Sequence, residues 1–295
     1  MPAKILDGKK ISQEMREEMA TRTAELKLEG IVPGLGVLLV GDDPASRSYV
    51  TAKEKACEKT GLYSKEISLS ATATRDEIIA VVKDFNADPQ IHGILVQLPL
   101  PDGTIEQEVI NTILPEKDVD GFHPVNVGRM ILGQEAFIPC TPHGILHILK
   151  RSDIATEGAH VVILGRSNLV GRPLANLLSM KSEMGNATVT MCHTRTRDLA
   201  ALTQQADILV AAAGRPNTIT GNMVRDGSVV IDVGVNRVED ATRKRGYRLV
   251  GDVDYEGVSE RAAAITPVPG GVGPMTITML LYNTIEAARR TGTGS

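Results

Sequence analysis

The chain has no tryptophan, and its 295 residues include only five tyrosines and three phenylalanines. Its core must therefore be aliphatic, and a tyrosine at a site is worth attention as a ligand contact. Cysteine is scarce too: Cys57, Cys140 and Cys192 are odd in number, far apart and without metal spacing. That excludes a disulfide framework and fits reduced thiols, two of them buried. No run of 18 apolar residues occurs, so no helical membrane span is expected. The opening Met-Pro-Ala-Lys-Ile-Leu-Asp-Gly-Lys-Lys lacks the apolar centre of a signal peptide, and a cytoplasmic protein is expected. Neither sign of charge dominates: 32 Lys and Arg stand against 36 Asp and Glu, a formal net charge of −4. A general nucleic-acid or membrane-surface role is not expected from that balance.

What is present is an α/β pattern long enough for two domains. Helical spacing runs over 11–28, 46–59 and 74–86, the last preceded by Thr74-Arg-Asp-Glu77, a capping-box signature. Apolar strands are expected at 34–40 and 91–98. After a helix at 142–152, further strands are expected at 160–164, 187–192, 207–213 and 228–233, with helices near 171–182 and 197–205 and a last helix over 275–290. Strands alternating with helices predict parallel sheets.

The strongest motif is Gly165-Arg-Ser-Asn-Leu-Val-Gly171, directly after the strand His160-Val-Val-Ile-Leu164. A strand that breaks into a glycine turn and then opens a helix is suited to hold phosphate on free backbone N–H groups. The spacing is G-x-S-x-x-x-G rather than G-x-G-x-x-G, so a ligand-free βα turn is the competing reading. The next strand ends in His193-Thr-Arg-Thr-Arg197, with no acid before Asp198. A site for NAD usually carries Asp or Glu there. Hydroxyls and positive charge suit a 2′-phosphate instead, hence NADP.

Other candidates gather in the first half. Tyr49 and Lys53 stand four apart on one helix and share a face, although such a pair is often only a half-buried ring beside a solvated amine. Gln97 ends an apolar strand, at the rim where α/β sheets bind ligands. Asp118 and Asp120 sit in Lys117-Asp-Val-Asp-Gly121, without the further oxygen ligands of a calcium loop, so no metal is expected. One buried carboxylate accepting two N–H donors from a ligand fits better. Pro267-Val-Pro-Gly-Gly-Val-Gly-Pro274 is too rich in turn formers for a regular element and permits close approach to a flat ligand, or a rigid linker. His143 and His147 have no third ligand nearby and are expected on a helix surface or in a core.

Tyr49-Val-Thr-Ala-Lys53, Val96-Gln-Leu-Pro-Leu-Pro101, Pro115-Glu-Lys-Asp-Val-Asp-Gly121, Pro139-Cys-Thr-Pro142, Gly165-Arg-Ser167 and Pro267-Val-Pro-Gly-Gly-Val-Gly-Pro-Met-Thr276 together resemble the bifunctional methylenetetrahydrofolate dehydrogenase/cyclohydrolase family, the bacterial FolD type. The likeness covers essentially the whole chain in order. It implies an α/β protein of two domains: a folate-binding catalytic domain over 1–140 plus 275–295, and a Rossmann-type parallel-sheet NADP domain over 141–274, with the C-terminal helix returning to the first and both ligands in a cleft between them. It implies a cytoplasmic homodimer that takes tetrahydrofolate derivatives in one-carbon metabolism and purine biosynthesis. By motif position, Lys53 is the catalytic lysine, assisted by Gln97. Tyr49 stacks on the folate, and Asp120 holds the pterin. Leu98, Pro269, Gly270 and Gly271 complete the substrate set. Gly165, Arg166, Ser167, Thr194 and Val235 bind NADP. Thr194 and Val235 stand where the family often has Ser and Ile, and the segment Ser179–Asn186 is longer than the family pattern.

The implied chemistry is hydride transfer from 5,10-methylenetetrahydrofolate to NADP⁺, then hydrolysis of the methenyl product to 10-formyltetrahydrofolate. A dehydrogenase without the hydrolytic step and a non-catalytic NADP-binding regulator are the alternatives. The intact Tyr49, Lys53 and Gln97 set argues against both.

Overall fold

The computed structural model describes residues 2–243 and 246–292. Its strands are β1 (Lys4–Ile5), β2 (Gly34–Val40), β3 (Tyr63–Leu69), β4 (Gly93–Val96), β5 (His160–Leu164), β6 (Thr188–Cys192), β7 (Ile208–Ala211), β8 (Val229–Asp232), β9 (Asn236–Glu239), β10 (Tyr247–Val250) and β11 (Ala264–Ile265). The α-helices are α1 (Gly8–Leu28), α2 (Pro44–Thr60), α3 (Arg75–Ala87), α4 (Glu106–Thr112), α5 (Pro124–Ile131), α6 (Cys140–Arg151), α7 (Gly171–Ser179), α8 (Leu199–Thr203), α9 (Tyr255–Ser259) and α10 (Val272–Gly292).

Two compact units divide the chain: Met1–Ser12 with Thr141–Thr276, and Gln13–Cys140 with Ile277–Ser295. The first twelve residues thus fall with the second half, unlike the 1–140 division expected above. The reason is β1, two residues long, which pairs parallel to β11 through Lys4↔Ala264 and Ile5↔Ile265.

The unit containing Gln13–Cys140 is built on a three-stranded parallel sheet in the order β3-β2-β4. All seven residues of β2 and all four of β4 are buried, as expected of a sheet covered on both faces. Leu38, Val40, Ile94 and Val96 pack with Ile78, Val82 and Phe85 of α3. Thr74 caps α3 with the capping box anticipated from the sequence. The C-terminal part of α10 joins this unit. Arg22 of α1 pairs with Glu286 of α10, and Arg16 Nε donates to Thr278 Oγ1 at 2.9 Å.

The other unit carries a six-stranded sheet in the order β1-β11-β8-β7-β5-β6, parallel throughout. The chain enters at β5, steps out to β6 on one side, and then returns to β7 on the other. That reversal places a topological switch point at the C-terminal end of β5, where doubly wound sheets bind nucleotides. This is a Rossmann-type arrangement, with an aliphatic core around Val162, Leu209 and Val230. A small antiparallel ribbon, β9 with β10, follows β8.

Candidate active site and nucleotide site

In the unit of the three-stranded sheet, α2 follows β2. Asp43 starts the helix, its side chain accepting from Ser46 N–H at 2.8 Å with Pro44 in the first turn, and Gly61 ends it at φ 77°. Tyr49 and Lys53 follow at helical spacing. The Tyr49 ring is 44% exposed, available as a flat apolar face. Lys53 Nζ donates to Gln97 Oε1 at 2.9 Å, which joins the helix to the end of β4. Gln97 lies one residue beyond that strand, its own N–H still bonded to Leu38 O at 2.9 Å. Its Nε2 donates to Leu98 O at 2.8 Å. With both ends of the amide engaged, its oxygen is fixed toward the amine. The following Leu98–Pro99 bond is cis.

Asp120 arrives from a loop that runs beside β4, where Ile94 N–H donates to Lys117 O at 2.8 Å. Burial pushes its carboxyl upward, and the Lys53 charge opposes that rise. Burial likewise lowers Lys53 below the usual lysine value, opposed by Asp120. The pair therefore sits where both charges are disfavoured and each is sustained by the other.

The two aspartates of the loop separate clearly. Asp118 accepts N–H from Phe122 at 3.2 Å, from His123 at 2.9 Å and from Asn126 Nδ2 at 2.8 Å. Its acceptors are thus committed inside the protein, and Asp118 shapes the loop. Burial raises it to about 6 against those three donors.

Supporting residues were not legible in the sequence. Lys117 Nζ donates to the carbonyls of Phe85, Asn86 and Asp88, closing the C-terminal end of α3. Asn283 of α10 donates through Nδ2 to Val119 O at 2.8 Å and Ile138 O at 3.1 Å. The only hint was a polar residue within an apolar helical run. The Cys140 thiol donates to Val119 O at 3.4 Å, and all three cysteines are buried rather than two.

In the other unit, Gly165 lies at the switch point with φ +135°, a conformation that favours glycine. A Cβ there would stand 2.3 Å from Ala212 O, and one on Gly171 would stand 2.1 Å from Gly165 O. The turn is therefore packed tightly against β7 and against the first turn of α7. No side chain caps α7; in its first turn Arg172 N–H donates to Ser167 O at 3.1 Å and Pro173 carries no N–H, so the free N–H groups expected from the sequence are largely absent there. Arg166 and Ser167 are exposed beside that turn, with Ser167 Oγ accepting from Val170 N–H at 3.1 Å. Thr194 is exposed just past β6, and Val235, 48% exposed, follows β8. A glycine turn, a cation and two hydroxyls at one sheet edge match the phosphates of a dinucleotide. Farther along, Pro269 is exposed and Gly271 is buried, while Gly270 O accepts from Lys9 N–H at 2.9 Å. His143 and His147 face each other with Nε2 atoms 3.3 Å apart, and His143 is buried. Among the described residues, no three His, Cys, Asp or Glu side chains gather as metal ligands.

Residues 6–120 match the catalytic domain of tetrahydrofolate dehydrogenase/cyclohydrolase, and residues 139–292 match its NAD(P)-binding domain. The chain is 52% identical over 291 residues to the bifunctional protein FolD of Bacillus subtilis, covering 99% of each. It is 55% identical over 289 residues to that of Prosthecochloris aestuarii, covering 97% of this chain and 98% of the other. The solved FolD of Campylobacter jejuni superposes with a TM-score of 0.92 at 47% identity, covering 98% of this chain and 99% of the other. The Trypanosoma brucei FolD, solved with NADP cofactor and an inhibitor, superposes with a TM-score of 0.93 at 37% identity, covering 99% of each. The chain belongs to the tetrahydrofolate dehydrogenase/cyclohydrolase family.

Proposed function

We propose that this chain oxidises 5,10-methylenetetrahydrofolate with NADP⁺ and hydrolyses the methenyl product to 10-formyltetrahydrofolate, with Lys53 as the residue that moves the proton in the second step. NADP⁺, when bound, supplies the hydride acceptor. The observation that carries the reading is the Lys53 amine fixed 2.9 Å from Gln97 Oε1 and electrostatically linked to Asp120.

A free lysine is protonated at neutral pH and cannot act as a base. Burial lowers Lys53, and a cationic methenyl substrate alongside would lower it further. The neutral amine then accepts a proton from the attacking water and returns it as the ring opens. Gln97 holds the amine in place. Asp120 suits the adjacent N–H donors of an aminopyrimidine edge. Tyr49 offers its ring to the aminobenzoyl group, and the family resemblance adds Leu98, Pro269, Gly270 and Gly271 to the substrate set.

The nucleotide belongs to the unit of the six-stranded sheet. Gly165 lets the backbone approach the phosphates, Arg166, Ser167 and Thr194 take the 2′-phosphate, and Val235 meets the far end of the cofactor. The folate side corresponds to 1–140 with the last helix, apart from the β1 segment, and the nucleotide side to 141–274. We infer a cytoplasmic homodimer that supplies one-carbon units for purine synthesis. The test is a coupled assay on the purified chain: NADPH formation from methylenetetrahydrofolate, then decay of methenyl absorbance. Both signals are expected, and absence of either removes the corresponding half of the proposal.

A further inference from the structure

Behind the nucleotide edge lie two buried aspartates that none of the roles above uses. Asp232, at the end of β8, is 3% exposed, and Asp252, just past β10, is 0% exposed. Asp232 accepts N–H from Gly234 at 2.9 Å, from Asp252 at 2.9 Å and from Val253 at 3.1 Å. Asp252 accepts N–H from Ala213 at 2.6 Å, from Gly214 at 2.8 Å and from Asn236 Nδ2 at 2.8 Å. The donors come from the loop after β7, the segment after β8 and the turn after β10.

The surroundings are shaped to these carboxylates. A Cβ on Gly234 would stand 2.2 Å from Asp252 Oδ1, and one on Gly251 would stand 1.7 Å from Asp232 Oδ2. Asp232 N–H in turn donates to Thr266 Oγ1 at 2.8 Å. The arrangement has one consequence for the exposed edge. Val235 lies between Gly234, tied to Asp232, and Asn236, tied to Asp252. An exposed aliphatic side chain is thus pinned from both flanks by buried carboxylates, and the Ala213-Gly214 turn is held by the other oxygen of Asp252, Oδ2, while Asn236 takes Oδ1.

We propose that Asp232 and Asp252 are positioning residues for the nicotinamide end of the dinucleotide, acting through Val235 and the Ala213-Gly214 turn. The inference rests on the NADP reading above and deepens it. Neither carboxylate touches the cofactor. Each accepts strong charge-assisted hydrogen bonds that hold two loops at one spacing before the ligand arrives. The adenosine end is held elsewhere, at Gly165 to Ser167 and Thr194, and does not depend on the pair.

The experiment compares NADP⁺ with adenosine 2′,5′-bisphosphate, which carries the adenosine end alone. Dissociation constants are measured by calorimetry for the wild-type chain, Asp252→Ala and Asn236→Ala. Asp252→Ala is expected to weaken NADP⁺ by about tenfold or more, since three hydrogen bonds to a charge are lost. Its affinity for the bisphosphate is expected to stay within about twofold of wild type. Asn236→Ala removes one arm at a partly exposed position and is expected to show the same split at about threefold, which decides the matter if Asp252→Ala does not fold. A lower kcat with NADP⁺ accompanies the split, because the ring is held less well. Unchanged NADP⁺ affinity in the folded variants, or equal weakening of both ligands, overturns the proposal. Failure of the wild-type chain to bind either ligand would instead overturn the cofactor reading and the clamp with it.

Discussion

Replacing Lys53 with methionine separates chemistry from folding. The side chain keeps an unbranched apolar stem, one atom shorter, but loses the amine that donates to Gln97 Oε1 at 2.9 Å. A positioned general base contributes about 10²–10⁴ in rate, so methenyl hydrolysis should fall by that factor, a barrier increase of about 3–5 kcal/mol. Stability should hardly change, because two effects oppose. The hydrogen bond from a cationic donor is lost, about 1.5–3 kcal/mol. The burial that lowers Lys53 is an unfavourable contribution, present in full below the folded value and relieved as pH rises from there to 10.5, and methionine removes it. The net shift in Tm should be within about 4 °C. Asp120, without the lysine charge, should rise further. The assay is loss of methenyl absorbance at saturating substrate, with thermal unfolding alongside. Near-normal hydrolysis by a folded Lys53→Met protein would refute the role of the amine.

Three further outcomes follow from the same geometry. Arg166→Ala should lower kcat/KM for NADP⁺ by about 10–100-fold and leave NAD⁺ within about threefold, and equal losses would show that Arg166 does not read the 2′-phosphate. Asp120→Ala should raise the folate KM by about tenfold or more, since the carboxylate proposed to accept two N–H donors of the pterin edge is removed; an unchanged KM takes Asp120 out of the site. Asp118 has a folded value of about 6 against an ordinary 3.8, so the native state holds the extra proton and stability falls as pH rises through that window. Asp118→Asn should flatten that fall in denaturant melts across the window, and an unaltered slope would contradict the assignment.

The sequence carried the buried elements best. Strand β2 was read at its observed bounds because all seven residues are buried and apolar or glycine. Thr74 and Glu77 announced α3 through local chemistry alone. Strand β3 was missed because it is a sheet edge with a mixed sequence, Tyr-Ser-Lys-Glu-Ile-Ser-Leu, and lacks the apolar run of its neighbour. Two-residue β1 has no local signal, and its partner lies some 260 residues away, as Lys4↔Ala264. The division of the chain at its first residues therefore could not be read locally.

The site was legible in part for the same reasons. Tyr49 and Lys53 share a helix face by spacing, and Gln97 ends an apolar strand. Asp118 and Asp120 look equivalent in the sequence, and only the three donors around Asp118 distinguish them. Lys117, Asn283 and the Asp232–Asp252 pair act through contacts far away in the chain or across loops, which no periodicity records.

The claim on which this account depends is that the fold keeps the Lys53 amine ready to lose its proton. It is tested most directly by titrating that amine by NMR with ¹³C-labelled lysine, assigned by its loss in Lys53→Met. A midpoint clearly below the ordinary lysine value of 10.5, lower again when a methenyl analogue is bound, is the predicted result. A midpoint at or above 10.5 in both states would contradict it.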